Sequence, residues 1–345
     1  MALYKPYKQG GTTLMSDIKT IGVLTSGGDA PGMNAVIRAV VRTAYSNGLT
    51  VKGIKKGYAG LLEKQVVDLP LSEVSGTLQR GGTFLGTARS KEFNSPEGVE
   101  QARQNCIELG IDGLIVAGGD GSFRGARELS NAGIPCIGIP CTIDNNIGST
   151  DYAIGFDTAV NTVVEVVDKL RDTSQSHNRC SLVEVMGHNC GAIALHAGIC
   201  CGAEAVIIPE VRNDLERDVL NEMRGAINQG KTHFIIIVAE GVTGERAKQR
   251  SMDTAELAAF IEERTGVETR ATIIGHIQRG GTPTARDRRY GSMMGNYAVK
   301  LLKNGVGNRV VALKRNILVD YDIKEALDIT KQINFDELRT FNEIR

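Results

Sequence analysis

The sequence predicts an α/β fold in which mainly parallel sheets are covered by helices. Two observations carry that reading. Short apolar runs alternate with stretches of helical period, and glycine pairs stand at the ends of several of the runs. Strand–helix alternation of this kind belongs to parallel sheets with helices on both faces.

In chain order, Thr20–Leu24 reads as the first strand and runs into Gly27-Gly28. The next segment is helical: Val36, Val40 and Ala44 fall on one face, with Ile37 and Val41 beside them. Leu114–Ala117, Cys136–Ile139, Ser181–Met186, Ala205–Ile208, His233–Ala239 and Arg309–Leu313 read as further strands, with helical patterns between most of them. Ligands of such sheets gather beyond the carboxyl ends of strands. The pairs Gly27-Gly28, Gly81-Gly82, Gly118-Gly119 and Gly280-Gly281 fall in that place. Glycine makes up 41 of 345 residues, about 12% against roughly 7% in average usage. Where the excess is ordered in this way, it lets a backbone turn sharply and approach a ligand closely. "LQRGGTFLGTAR" (78–89) and "IQRGGTPTARD" (277–287) look alike, over a stretch too short to be a repeat.

Charge and cysteine usage narrow the function classes. Lys+Arg and Asp+Glu both number 40, a net charge of zero, so no nucleic-acid or membrane partner is expected. Seven cysteines without a C-x-x-C suit free thiols in a reducing cytosol. His188, Cys190, His196, Cys200 and Cys201 match no common zinc spacing and read as small buried thiols with neighbouring histidines. No apolar run approaches the roughly 20 residues of a membrane helix, and no signal peptide is visible. Residues 1–17 are basic and aperiodic, an extension expected to be disordered, with Met15 a candidate start.

Two segments point to phosphate. "TSGGDAPGMN" (25–34) and "AGGDGSFRG" (117–125) each follow a strand and open a helix. Backbone N–H groups at a glycine turn and a helix N-terminus form an anion site. A single such turn reads more readily as plain strand-to-helix geometry; two in one chain, the second holding an acid, shift the reading toward phosphate. Neither is a G-x-x-x-x-G-K-[ST] loop, so the usual lysine is missing. A Mg²⁺ ion near Asp120 together with Arg89 would offset the polyphosphate charge; the other reading of Asp120 is a helix N-cap. "PCTIDNNIGSTD" (140–151) carries Asp144, either the base of a phosphoryl transfer or the anchor of an Asx-turn.

Taken in order, "GVLTSGGDAPGMNAVIRAVVR", "RGGTFLGTAR", "GGDGS", "TIDN", "VEVMG" and "ETRATIIGHIQRGG" resemble bacterial ATP-dependent 6-phosphofructokinase, from about residue 20 to about residue 320. The resemblance implies two similar lobes with the active site between them. The ATP lobe would be 18–155 plus 278–328, and the fructose 6-phosphate lobe 156–277 plus 329–345. It implies ATP contacts at Gly28, Tyr58, Arg89, Ser90, Gly119, Asp120, Gly121, Ser122 and Gly125, with Mg²⁺ at Asp120. Asp144 would be the base, Thr142 and Arg179 would steady the transferring group with Arg89, and Ile143, Met186, Gly187, His188, Glu240, Arg270, His276 and Arg279 would bind the sugar phosphate. Arginine suits phosphate because its planar fork donates two hydrogen bonds at once; unaided, Arg270 and Arg279 read as surface charges.

The resemblance further implies a cytoplasmic homotetramer in which Arg179 and Arg270 serve a neighbouring subunit's site. Relatives that use pyrophosphate carry aspartate and lysine where this chain has Gly121 and Cys141, so ATP is the expected donor. An effector site would use Arg38, Arg42, Arg171, Glu204 and Lys231, although Arg38 and Arg42 read on pattern as a solvated helix face. The chain departs from the family at Asn146 and His188, where aspartate and arginine are usual, and at Leu71 and Gln229, where an arginine and a lysine are. Reduced turnover or an altered acceptor, and weak effector control, are the expected consequences. Fructose 6-phosphate is the expected acceptor; another sugar phosphate, a pyrophosphate-dependent variant, and a low-activity regulatory paralogue are the alternatives.

Overall fold

The structure is a computed structural model describing residues 18–212, 214–243 and 252–345. The expected N-terminal extension, 1–17, lies outside the described residues. The chain begins β1 (Thr20–Thr25), α1 (Met33–Ser46), β2 (Thr50–Ile54), α2 (Gly57–Leu62), β3 (Val66–Asp68), α3 (Pro96–Glu108), β4 (Gly113–Gly118), α4 (Asp120–Asn131) and β5 (Cys136–Pro140). The long α5 (Phe156–His177) leads to β6 (Cys180–Val185), α6 (Ala192–Cys201), β7 (Ala205–Ile207), α7 (Asn221–Asn228), β8 (Phe234–Ala239), α8 (Thr254–Thr265) and β9 (Thr269–Ile273). Then come α9 (Ala285–Lys303), β10 (Arg309–Lys314), β11 (Ile317–Asp322), α10 (Ile323–Asp328) and α11 (Phe335–Ile344).

The strands form two sheets. A seven-stranded sheet runs β11-β10-β5-β4-β1-β2-β3, and a four-stranded one runs β7-β8-β6-β9. Every pairing inside the smaller sheet is parallel. The larger is parallel except at its two edges, where β3 and β11 fold back antiparallel. Alternate residues of one strand enter different cores: Leu114 and Val116 face α3 and α4, whereas Ile115 and Ala117 face α1 and α9. β8 does the same with Phe234, Ile236 and Val238 on one side and Ile235, Ile237 and Ala239 on the other. A strand buried on both faces must be apolar at every position.

The expected strands are all present within a residue or two of their predicted ends. β2, β3, β9 and β11 were not expected. β3, β9 and β11 are edge strands, and none of the three shows an uninterrupted buried run. On α1, Val36, Ile37, Val40, Val41 and Ala44 are all buried, as the period required.

One buried carboxylate joins the elements around the first sheet. Asp287, in the first turn of α9, has no exposure. It accepts hydrogen bonds from the Tyr152 hydroxyl, from the N–H of Gly155 (2.7 Å) and Thr158 (3.0 Å), and from the Thr158 hydroxyl (2.5 Å). Gly155, at φ 106°, is the N-cap of α5 and supplies no side chain. Asp287 therefore caps α5 from a different helix, and its charge lies at the positive end of that helix dipole. Burial pushes its carboxyl above the usual range, and the four donors pull it back. Asp287→Ala strands four buried donors. It is expected to lower the unfolding free energy by about 3–5 kcal/mol, read from the urea midpoint, whereas Tyr152→Phe, which removes one donor, costs about 1–2 kcal/mol.

Candidate active site

The order of the larger sheet reverses between β1 and β4, so a crevice opens beyond their carboxyl ends. Both phosphate-type turns lie there, joined by the Ser26 N–H to the Ala117 carbonyl (2.9 Å). At the start of α4 the N-cap is Gly119, which offers no side-chain cap, and Asp120 is the first helical residue. Asp120 is thus an acid in the first turn rather than the cap. Burial raises its carboxyl, and Arg124 opposes this. Gly119 and Gly121 share a telling property. Neither has the left-handed backbone that demands glycine, and a Cβ on either would meet nothing within 4 Å. The fold does not need their bareness, which leaves the helix N-terminus open to a ligand.

The other expected donor residues fall into two groups. Thr87 donates to the Gly27 carbonyl (2.7 Å), which ties the 81–90 loop across the first turn; Arg89 on that loop is exposed. Ser90 Oγ accepts from the Phe93 N–H (3.1 Å). Tyr58 is buried, stacks on Phe93 with ring centroids 4.0 Å apart, and donates to the Ser122 carbonyl (2.7 Å). A Cβ on Gly125 would lie 2.8 Å from both rings. Tyr58, Phe93 and Gly125 therefore set how α4 seats against α2, and through it where Ser122 and Asp120 stand.

The loop expected to face the acceptor, 140–151, starts where β5 ends. Pro140 pairs with Gly118, and the Cys141 N–H donates to the Gly118 carbonyl (2.9 Å), so this loop and the Asp120 turn are neighbours by register. Thr142 Oγ1 accepts from the Asp144 N–H (3.3 Å). The local loop-closing role is taken by Asn145, at φ 49°, whose Oδ1 accepts from the Ala153 N–H (3.0 Å). Asp144 is left over: its Oδ1 is buried and has no hydrogen-bond partner among the described residues. Burial raises its carboxyl, and Arg279, His188 and Thr142 partly offset the rise. Ile143 is fully buried, so only its backbone can face the loop's open side.

A cavity of about 530 Å³ opens at the carboxyl ends of β6, β8 and β9. Its lining gathers Met186, Glu240 and His276 together with Glu184, Thr243 and Thr254. Glu240 Oε1 accepts from the N–H groups of Gly187 (3.2 Å) and His188 (2.8 Å), which fixes a turn where His188 holds φ 55°. Two residues here escaped sequence reasoning. Glu184 accepts from Thr243 Oγ1 (3.0 Å) and Thr254 Oγ1, and Gln278, fully buried, accepts from the Met186 N–H (2.8 Å). Their signals were a carboxylate inside the apolar run "SLVEV" and an amide between His276 and Arg279.

Residues 20–302 match the family described as Phosphofructokinase. The chain belongs to the phosphofructokinase family. The ATP-dependent 6-phosphofructokinase of Alkaliphilus metalliredigens is 51% identical over 317 residues, 92% of this chain and 96% of that one. The protein of the same name from Clostridium tetani is 53% identical over 320 residues, 93% and 97% of the two chains. Among solved structures, phosphofructokinase from Saccharomyces cerevisiae superposes with a TM-score of 0.83 at 35% identity, over 94% of this chain and 48% of that one. This chain thus spans about half the length of the yeast chain. A pyrophosphate-dependent phosphofructokinase from Marinobacter aquaeolei shares the fold at 20% identity, with a TM-score of 0.81 over 92% and 86% of the chains.

Not every residue that the phosphofructokinase resemblance points to is gathered in one chain. Arg179 precedes β6 and Arg270 stands near the start of β9, opposite Ser181. The cavity lies toward the other end of these strands, at ~3.3 Å per residue about 17–20 Å from Arg179 and about 10 Å from Arg270. Arg179 Nε bonds Glu268 (2.7 Å), and Arg270 bonds the other oxygen of the same carboxylate. The effector residues also separate. Glu204 is buried against Lys231 and the Ile235 N–H (2.6 Å), and Arg171 donates to the Cys201 carbonyl nearby. Arg38, half-buried, and Arg42, exposed, lie on α1 over the other sheet, and Leu71 packs against the core there.

Because the space above Gly121 is empty of protein, Gly121→Asp is expected to leave the melting temperature unchanged. It should raise the Michaelis constant for ATP at least about tenfold, by like-charge repulsion of a phosphate at the helix N-terminus. Calorimetric melting and nucleotide titration of the same variant check both halves.

Proposed function

We infer that this protein transfers the terminal phosphate of ATP to the 1-hydroxyl of fructose 6-phosphate, giving fructose 1,6-bisphosphate, the reaction of ATP-dependent 6-phosphofructokinase in glycolysis. Two curated relatives above 50% identity along nearly their whole length carry that name. The observation that carries the mechanism is the orphaned carboxylate oxygen of Asp144, buried one loop away from the bare helix start at Gly119–Gly121.

Phosphoryl transfer needs an aligned acceptor, a base for its proton and positive charge around the migrating group. Asp144 takes the proton of the sugar hydroxyl at the carboxylate oxygen that the fold leaves unpaired. Its partly buried position excludes water that would compete as acceptor. The α4 N-terminus holds the donor phosphates through its free N–H groups, and Arg89, exposed on the loop tied to the first turn, adds positive charge to them. Thr142, bonded to the Asp144 backbone, keeps the base oriented. Met186, Glu240 and His276 shape the sugar cavity, and Arg279 brings positive charge to the side of Asp144.

Asp120 fits a Mg²⁺ ion. Among the described residues no three ligating side chains gather, and Mg²⁺ on a nucleotide takes only one or two carboxylates, with phosphate oxygens completing its shell. When bound, the ion neutralises charge on the donor phosphates. We read the assembly as a cytoplasmic homotetramer. Support comes from Arg179, which stands too far along its strand to reach its own chain's cavity, and from Arg270, which is paired with it on Glu268 rather than turned to that cavity, both ready for an adjoining site. No helix among the described residues is long and apolar enough to cross a membrane. Arg38 and Arg42 would complete an effector site only from another subunit, and with Leu71 and Gln229 in place of two cations that control is weak.

The deciding assay is coupled turnover of the purified chain with ATP and with pyrophosphate in parallel; ATP alone is expected to support fructose 1,6-bisphosphate formation. Asp144→Asn is expected to lower kcat by about 10²–10⁴. Burial holds the Asp144 carboxyl above its unfolded value, so its stabilising contribution is complete at low pH, where it is protonated. That contribution is lost as pH rises through the raised value. Above that raised value the charged, desolvated carboxylate costs stability, and there Asp144→Asn is expected to melt higher than wild type while being nearly inactive. A variant that melts lower and keeps its turnover contradicts the assignment.

A further inference from the structure

Arg279 belongs, by motif, to the sugar-phosphate segment, yet its guanidinium lies against the donor turn. Its Nη1 donates to the Asp29 carbonyl (3.2 Å). The place where a Cβ of residue 28 would be is already filled: the guanidinium carbon lies 2.9 Å and Nη2 3.2 Å from it. Gly28 does not have the left-handed backbone that requires glycine, and it is solvent-exposed on its remaining sides. The same segment is held at a second point. Gly81 and Gly281 meet backbone to backbone, with the Gly281 carbonyl carbon 3.1 Å from where a Gly81 Cβ would stand. Asn34 in turn anchors the Gly81 loop to α1, donating to the carbonyls of Arg80 and Gly81 (3.1 Å each) and accepting from the Phe84 N–H (3.0 Å). The two look-alike QRGGT stretches are therefore in contact, one from each side of the crevice.

We propose that Gly28 is a positioning residue for the acceptor: its missing side chain forms the slot that holds the Arg279 guanidinium between the donor turn and Asp144. The proposal rests on the kinase reading above and deepens it. The common account of such a glycine is close approach of the backbone to a donor phosphate, which predicts a defect in ATP binding when a methyl is added. The slot predicts a defect in binding of the other substrate. Any side chain at 28 expels the guanidinium, which is the free end of a flexible side chain and moves at little cost to the fold. Once expelled, Arg279 no longer presents its fork to the sugar phosphate, while the donor turn keeps its backbone N–H groups.

The test is a double-mutant cycle on the full-length protein with ATP and fructose 6-phosphate, using Gly28→Ala, Arg279→Lys and both together. Arg279→Lys keeps the charge but lacks the planar fork that fills the slot. Gly28→Ala alone is expected to raise the Michaelis constant for fructose 6-phosphate at least about tenfold and that for ATP by less than about threefold, with an unchanged melting curve. In the Arg279→Lys background, the same change is expected to alter the fructose 6-phosphate constant by less than about twofold. Full additivity of the two changes on fructose 6-phosphate, or no effect of Gly28→Ala on it, overturns the slot while leaving the kinase assignment intact. A wild-type protein without fructose 6-phosphate-dependent ATP consumption overturns the assignment, and the slot with it.

Discussion

The arrangement of this molecule depends on a charge placed where charge is least welcome. Asp287 is wholly enclosed, and a lone carboxylate there would be strongly unfavourable. It is tolerated because four donors converge on it from two pieces of chain: the Tyr152 hydroxyl at the end of the 140–152 loop, and the Gly155 N–H with the Thr158 N–H and hydroxyl at the start of α5. The packing around it is equally tight. Gly32, where the donor turn enters α1, has Ile154 and the Asp287 Cβ where a side chain would go, and Gly155 has Ala30 there. Donor turn, acceptor loop and crossover helix thus meet at one buried polar point. An error in any of them leaves a desolvated group unpaired, so the hub specifies geometry as much as it adds stability.

From that point the chemistry is arranged by sheet register. β4 and β5 are neighbours, and Gly118 pairs with Pro140. The Gly119–Gly121 turn and the loop that carries Asp144 therefore leave the sheet side by side, with no flexible linker to place one against the other. Asp144 loses solvation here: its Oδ1 is buried and has no hydrogen-bond partner among the described residues. A desolvated carboxylate is a stronger base than one in water, and a hydroxyl bound beside it restores the missing hydrogen bond. If Asp144 is the base, as proposed, instability without substrate and catalysis with it have the same origin.

Much of the fold was legible because two-sided burial writes itself into composition. β1, β4, β5, β6 and β8 are enclosed by helices on both faces, so their runs are mostly apolar, Glu184 in β6 being the one charged exception, and stand out from the chain. β9 and β11 were illegible for the converse reason. Most of β9's residues and all of β11's remain in contact with solvent, and a polar residue there costs little, so "TRATI" and "ILVDYD" carry no period that would betray a strand. β3 spans three residues and owes its existence to pairing with β2 rather than to its own preference.

The site divides along a similar line. Which residue types are present, and which of them stand at strand ends, follow from the sequence: Asp120 and Asp144 beside glycine-rich turns, and arginines in a motif with a buried glutamine. Their roles as neighbours do not. That Tyr58 turns inward to seat α4, that Asn145 rather than Asp144 closes the loop, and that Arg279 fills the space left by Gly28 are facts of close contact between segments far apart in the chain. Local pattern reports the average environment of a residue, because hydrophobic burial is a sum over surface. Hydrogen bonds and excluded volume act over a few ångströms between particular atoms, and only the folded chain decides which atoms those are.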